Sequence, residues 1–108
     1  MMFLSSEPRK ILAYAEPVDL RKPIVALSAL VQSVLQEDSP SGCVYVFFNR
    51  RGNYLKLVAW DRTGYCLFAK RLEKGRFQLP SDEPKQSLSE QAFHLILDGI
   101  TLGRRRAM

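Results

Sequence analysis

At 108 residues, with 46% apolar and 25% charged side chains, the chain suits a single globular domain and is neither disordered nor membrane-like in composition. No apolar run approaches the roughly 20 residues of a membrane span, and Met1–Pro8 lacks the charged start and apolar core of a secretion signal, so a cytoplasmic protein is expected. A net charge of +5 favours an anionic partner.

In chain order, Lys10–Ala15 predicts a first strand, and Pro17 keeps the following connector extended. Pro23 suits the first turn of a helix. Ile24, Leu27, Val31, Val34 and Leu35 recur at three- and four-residue spacing and form one apolar stripe. The loop signature Ser39-Pro40-Ser41-Gly42 ends that helix near Asp38. Three strands follow: Val44–Asn49, Tyr54–Trp60 and Tyr65–Leu72. Their connections, Arg50-Arg51-Gly52-Asn53 and Asp61-Arg62-Thr63-Gly64, are short and contain glycine, as hairpins require.

Gly75–Pro80 leaves the sheet through a short edge strand, and Ser81–Gln86 reads as a linker. Ser87-Leu88-Ser89-Glu90 has capping-box spacing for a second helix. Leu88, Ala92, Phe93, Leu95, Ile96 and Leu97 give that helix an apolar side, and Gly99 fits its C′ position. The expected architecture is a single α+β domain over 1–108, with a core at 10–102 and a mobile tail at 103–108 that holds Arg104-Arg105-Arg106. It is an antiparallel sheet of about four or five strands around a central three-strand meander, with two helices.

Side chains alternate faces along a strand. With Asn49 opposite Tyr54 and Trp60 opposite Tyr65, one face holds Val44, Val46, Phe48, Leu55, Leu57, Ala59, Cys66 and Phe68. This apolar face is expected to pack on the first, longer helix. The other face is mixed and carries Tyr45, Phe47, Lys56, Val58, Trp60, Tyr65, Leu67 and Arg71, with Tyr54 at its edge.

The stretch Arg50–Arg76 holds eight Lys or Arg against two acids, so the other residues together sum to −1. It also holds the rings Tyr54, Trp60, Tyr65 and Phe68. Cations for phosphates and flat rings for bases are what a nucleic-acid surface needs. The candidate contacts are Arg50, Arg51, Lys56, Trp60, Arg62, Tyr65, Lys70, Arg71, Lys74 and Arg76. A second reading makes the mixed face a protein interface anchored by Tyr45, Tyr54, Trp60 and Tyr65. A third makes Asp19, Asp61 and Glu73 the metal ligands of a nuclease. The bland alternatives are a solvated sheet face, Asp61 as a turn residue, and Asp19 as a helix cap or a partner of Arg21. Cys43 and Cys66 have no metal-type spacing and are expected as free, buried thiols, and His94 as a half-buried packing residue. No metal or cofactor is expected.

Taken in order, Pro17-Val18-Asp19-Leu20-Arg21-Lys22, Arg51-Gly52, Leu55-Lys56, Trp60–Leu67 and Lys70-Arg71-Leu72-Glu73-Lys74-Gly75-Arg76-Phe77 resemble the accessory protein of insertion sequence sixty-six type transposable elements. That protein is the second open reading frame product, labelled TnpB. The likeness spans about residues 10–80, with an echo in Leu97-Asp98-Gly99-Ile100. Pro23 and Leu102 depart from the pattern, where relatives often carry a small residue and a tryptophan. The resemblance implies an accessory role in transposition beside a larger transposase and leaves the molecular activity open. It supplies no catalytic residues. With the basic, aromatic-containing surface read above, the expectation is a non-enzymatic accessory factor that contacts transposon DNA and docks on the transposase.

Overall fold

The computed structural model describes residues 10–33, 43–61 and 63–99. Seven elements follow in the order β1 (Lys10–Tyr14), α1 (Ile24–Ser33), β2 (Cys43–Phe48), β3 (Tyr54–Asp61), β4 (Gly64–Arg71), β5 (Lys85–Ser87) and α2 (Glu90–Leu97). They form an α+β fold whose single sheet runs β4-β3-β2-β1-β5. The meander has the expected register, with Trp60 opposite Tyr65 and the Asn49 N–H bonded to the Tyr54 carbonyl. The sheet is mixed rather than wholly antiparallel, because α1 lies between β1 and β2 in sequence and those strands run parallel. A helical crossover is the usual way to return a chain for parallel pairing.

Both faces of the central strands are covered, and the helices take the faces opposite to expectation. The face of Val44, Val46, Phe48, Leu55, Leu57 and Ala59 packs against Phe93, Ile96 and Leu97 of α2, with Phe77 and Leu88. The face of Leu12, Tyr45, Phe47 and Val58 packs against Leu27 and Val31 of α1. Every residue of β2 is buried. Its unbroken apolar run, Cys43–Phe48, is what a strand needs when both faces are covered. Tyr45, only 1% exposed, lies under α1 and cannot anchor a partner protein.

Two local expectations are corrected. No strand forms at 75–80; that segment folds back onto the β2–β3 turn, with the Phe77 N–H donating to the Gly52 carbonyl. The fifth strand instead lies in the stretch read as a linker, where Lys85–Ser87 pairs antiparallel with β1. Consequently Ser87 belongs to a strand, and Ser89 is the N-cap of α2, its Oγ accepting from the Ala92 N–H at 3.0 Å. Gly99 does follow the helix in a left-handed conformation, φ 77°, as a C′ residue should. Both cysteines are free, Cys43 buried and Cys66 half-buried, and His94 is half-buried. The end of the first helix with Val34 and Leu35, the loop at 39–42, Leu102, the arginine tail, Arg62 and the turn role of Asp61 lie outside the described residues.

The corrected cap is open to measurement. Ser89→Ala should cost about 1 kcal/mol in urea unfolding. Ser87→Ala, exposed at the sheet edge, should stay within about 0.5 kcal/mol of the parent.

Candidate nucleic-acid interface

The parallel pairing of β1 and β2 sends both strands out at the same end of the sheet. There the Val18 N–H donates to the Phe48 carbonyl at 2.9 Å, which lays the 15–21 connector beside the β2–β3 turn. β4 ends at the same place, since the Leu72 N–H donates to the Asn53 carbonyl at 2.8 Å. Three segments distant in sequence therefore meet.

The turn between them is rigidly built. Asn49 Oδ1 accepts from the N–H groups of Asn53 and Tyr54, both at 3.1 Å, and Asn49 Nδ2 donates to Asn53 Oδ1 at 2.9 Å. Gly52 adopts φ 75°, which a side chain would strain. Arg50 and Arg51 form the exposed tip of this turn. The stem of Arg76 lies over Gly52, since a Cβ added there would sit 3.7 Å from it. Arg71 stacks its guanidinium over the Tyr54 ring, 4.2 Å from the centroid. That geometry suits a cation–π contact.

A groove of about 460 Å³ opens here, lined by Asp19, Arg21, Arg50, Arg51, Tyr54 and Arg71 among others. Its size falls in the range of ligand sites, about 300–1,000 Å³. Four guanidinium groups around one carboxylate select an anion. That carboxylate is already engaged: Asp19 accepts from Arg21 Nε at 2.9 Å, from Arg21 Nη2 at 3.0 Å and from the Arg21 N–H at 3.0 Å. The Arg21 side-chain hydrogen bonds, then its backbone N–H, hold the Asp19 carboxyl down from 3.8 to about 2. Among the described residues, Arg50, Arg51, Arg71, Lys74 and Arg76 form no ion pair with a carboxylate.

The other expected contacts are dispersed. Lys74 and Arg76 lie on the loop beside the groove, and Lys56 stands on the α1 face next to Tyr54 and Arg71. Lys70 lies on the opposite face, where its ammonium donates to the Leu97 carbonyl at 2.6 Å. A cation is favourable there, at the C-terminal end of α2. Trp60 and Tyr65 pair edge-to-face at 4.9 Å at the far end of the hairpin. That is about 20 Å from Tyr54 along β3 at the usual strand rise. Asp61, paired with Gly64, is also at that far end, whereas Asp19 and Glu73 are at the arginine end. The backbone positions of the three residues considered for metal therefore lie at opposite ends of the sheet. The sequence alone offers Arg21 only as a partner for Asp19. Its place in the groove depends on the Val18–Phe48 contact, which no local pattern encodes.

Fold and site together define a small α+β protein with an arginine-lined groove at one end of a mixed sheet. The family profile of IS66 Orf2 like proteins matches residues 9–107, and the chain belongs to that family. Membership supports an accessory role in transposition of an insertion sequence. Two similar proteins come from Sinorhizobium fredii. Uncharacterized protein y4jC is 34% identical over 92 residues, covering 84% of this chain and 79% of its own length. Uncharacterized protein y4hO is 39% identical over 83 residues, covering 76% and 72%. No solved structure matches the chain. Among the described residues, no helix is long and apolar enough to cross a membrane.

The Asp19–Arg21 pair predicts a pH signature. A group whose folded value is depressed stabilises the protein above its unfolded value, near 3.8, and loses that contribution as pH falls through about 2. Carboxyl NMR should place the Asp19 midpoint near 2, and Arg21→Ala should return it toward 3.8. Asp19→Asn and the parent should differ in urea midpoint at neutral pH and converge near pH 2.

Proposed function

We propose that the protein is a non-catalytic accessory factor that contacts transposon DNA through the arginine end of its sheet. The observation that carries this reading is the convergence of Arg21, Arg50, Arg51 and Arg71 on one groove with a single, already paired carboxylate. Guanidinium groups are suited to phosphate because their donors are planar and forked. Arg50 and Arg51 project from a stapled hairpin tip and can reach a backbone that the sheet itself cannot approach. Lys56, Lys74 and Arg76 flank the groove and extend the same field. Contacts of this kind fix position without reading sequence. The larger transposase of the element then supplies the chemistry and any selection of the transposon ends.

A protein-docking role for the mixed face has its own support. α1 leaves β4 uncovered on that face, where Tyr65 is 39% and Leu67 44% exposed. Trp60 lies beside Tyr65. In this reading the rings serve a protein partner, and the arginines alone serve DNA.

A salt titration of binding to a labelled duplex, followed by fluorescence anisotropy, tests the proposal. Affinity should fall steeply with salt. Arg50→Ala with Arg51→Ala should flatten the slope by about two units, and Arg71→Ala by about one. Lys70→Ala should leave the slope unchanged. Binding that is undetectable at low salt, or indifferent to salt, would overturn the proposal.

A further inference from the structure

Among the described residues, no strand pairs with the outer edge of β4. Leu72 directs its N–H toward β3, to Asn53, and main-chain groups alternate along a strand. Lys70, Phe68, Cys66 and Gly64 therefore also bond toward β3. Tyr65, Leu67, Ala69 and Arg71 turn their N–H and C=O groups away from the sheet. The same four are the exposed residues of the strand.

The edge is also unguarded. Its register with β3 is unbroken from Tyr54↔Arg71 to Asp61↔Gly64, so no bulge twists it away. It contains no proline, and its charges, Lys70 and Arg71, stand together at one end. Sheets ordinarily blunt such edges with prolines, bulges, inward charges or very short strands. The opposite edge of this sheet follows that rule, since β5 spans three residues with lysine at its start. An eight-residue edge without these devices is a template for another strand.

We propose that β4 pairs with β4 of a second copy of this chain, antiparallel about a two-fold axis at Phe68, to give a continuous ten-stranded sheet. The outward main-chain groups set the register. Tyr65 pairs with Arg71 of the second copy, and Leu67 with Ala69 of the second copy, each exchange repeated by symmetry. That satisfies all four outward residues of each copy with about eight main-chain hydrogen bonds. The side chains fit the same register. Leu67 meets a small alanine, and the two Phe68 rings meet at a closely spaced non-hydrogen-bonded position.

Charge selects this pairing over its alternatives. Antiparallel pairing sets Lys70 against Cys66 and Arg71 against Tyr65, so no two cations face each other. Parallel in-register pairing would place like charges side by side along the seam. The inference does not depend on DNA binding.

Sedimentation equilibrium of the full chain from about 1 µM to about 1 mM tests it. A monomer–dimer equilibrium is expected within that range. Leu67→Lys adds the missing edge charge. Ala69→Pro removes an N–H that points away from β3, so the monomer loses no ladder bond. Each should weaken the dimer at least about tenfold with unchanged far-ultraviolet circular dichroism. If Ala69→Pro does not fold, Leu67→Lys decides alone. In the parent dimer, the amides of Tyr65, Leu67, Ala69 and Arg71 should exchange more slowly than in the Leu67→Lys monomer. A chain that is monomeric throughout the range overturns the proposal. So does a dimer that Leu67→Lys leaves intact.

Discussion

The structure depends on the parallel pairing of β1 with β2. An antiparallel pair would let β1 end beside the start of β2, and the connector after β1 would emerge at the far end of the sheet. The parallel pair carries both strand ends to one place. That brings Arg21 to Arg50 and Arg51 across nearly thirty residues of sequence, and the hairpin geometry of β3 and β4 returns Arg71 to the same spot. The crossover also fixes the burial of β2. A strand with helices over both faces has no solvated side, so its residues must be apolar without alternation. Cys43–Phe48 meets that demand completely.

The same strand shows where sequence reasoning holds and where it fails. The hairpins were legible because Arg51-Gly52 and Thr63-Gly64 combine turn chemistry with flanking β-branched and aromatic residues. Register followed from the length of those two turns, and alternation then sorted the side chains to their faces. The partner of each face did not follow, because Tyr45 and Phe47 share their face with Lys56 and Arg71, and those cations make the whole face read as exposed. The unbroken run from Cys43 to Phe48 was the available signal for the second core. β5 was missed for a different reason: Lys85-Gln86-Ser87 has no apolar pattern. It is held by main-chain bonds at both ends, Ala15 N–H to Pro84 O and Leu88 N–H to Ile11 O, and by the Gln86 amide donating to the Ser81 and Glu83 carbonyls. The basic segment was legible as charge but not as a surface. Successive strand residues face opposite ways, so Lys70 and Arg71, adjacent in sequence, serve α2 and the groove respectively.

Clustered guanidinium groups repel one another, and a fold that collects them forgoes some stability. Two devices limit that cost. Tyr54 offers Arg71 a ring face, and the Gly52 turn offers Arg76 a surface for its stem, so both side chains are oriented by packing and not by carboxylates. A carboxylate partner would neutralise the charge and occupy the donors. Asp19 does this for Arg21 alone, and its exposed position lets a phosphate compete for the same fork. The net effect, Arg21 apart, is a set of exposed arginines that no carboxylate of the described residues neutralises.

Groove and open edge have a geometric relation that neither has alone. A two-fold axis through paired β4 strands runs perpendicular to the sheet and keeps the α1 faces of both copies on one side. Each groove lies beyond the Arg71 end of its own β4, so antiparallel pairing sends the two grooves to opposite ends of the joined sheet. Strand rise and strand spacing then put them on the order of 35 Å apart. One turn of B-form DNA repeats its backbone every 34–36 Å or so. Two weak phosphate clamps at that spacing would act as one bivalent site, with the second contact made at high effective concentration. Were both proposals to hold, dimerisation and DNA binding would be linked: a duplex engaging both grooves would favour the dimer by its differential affinity, and the dimer would return the same free energy to the duplex.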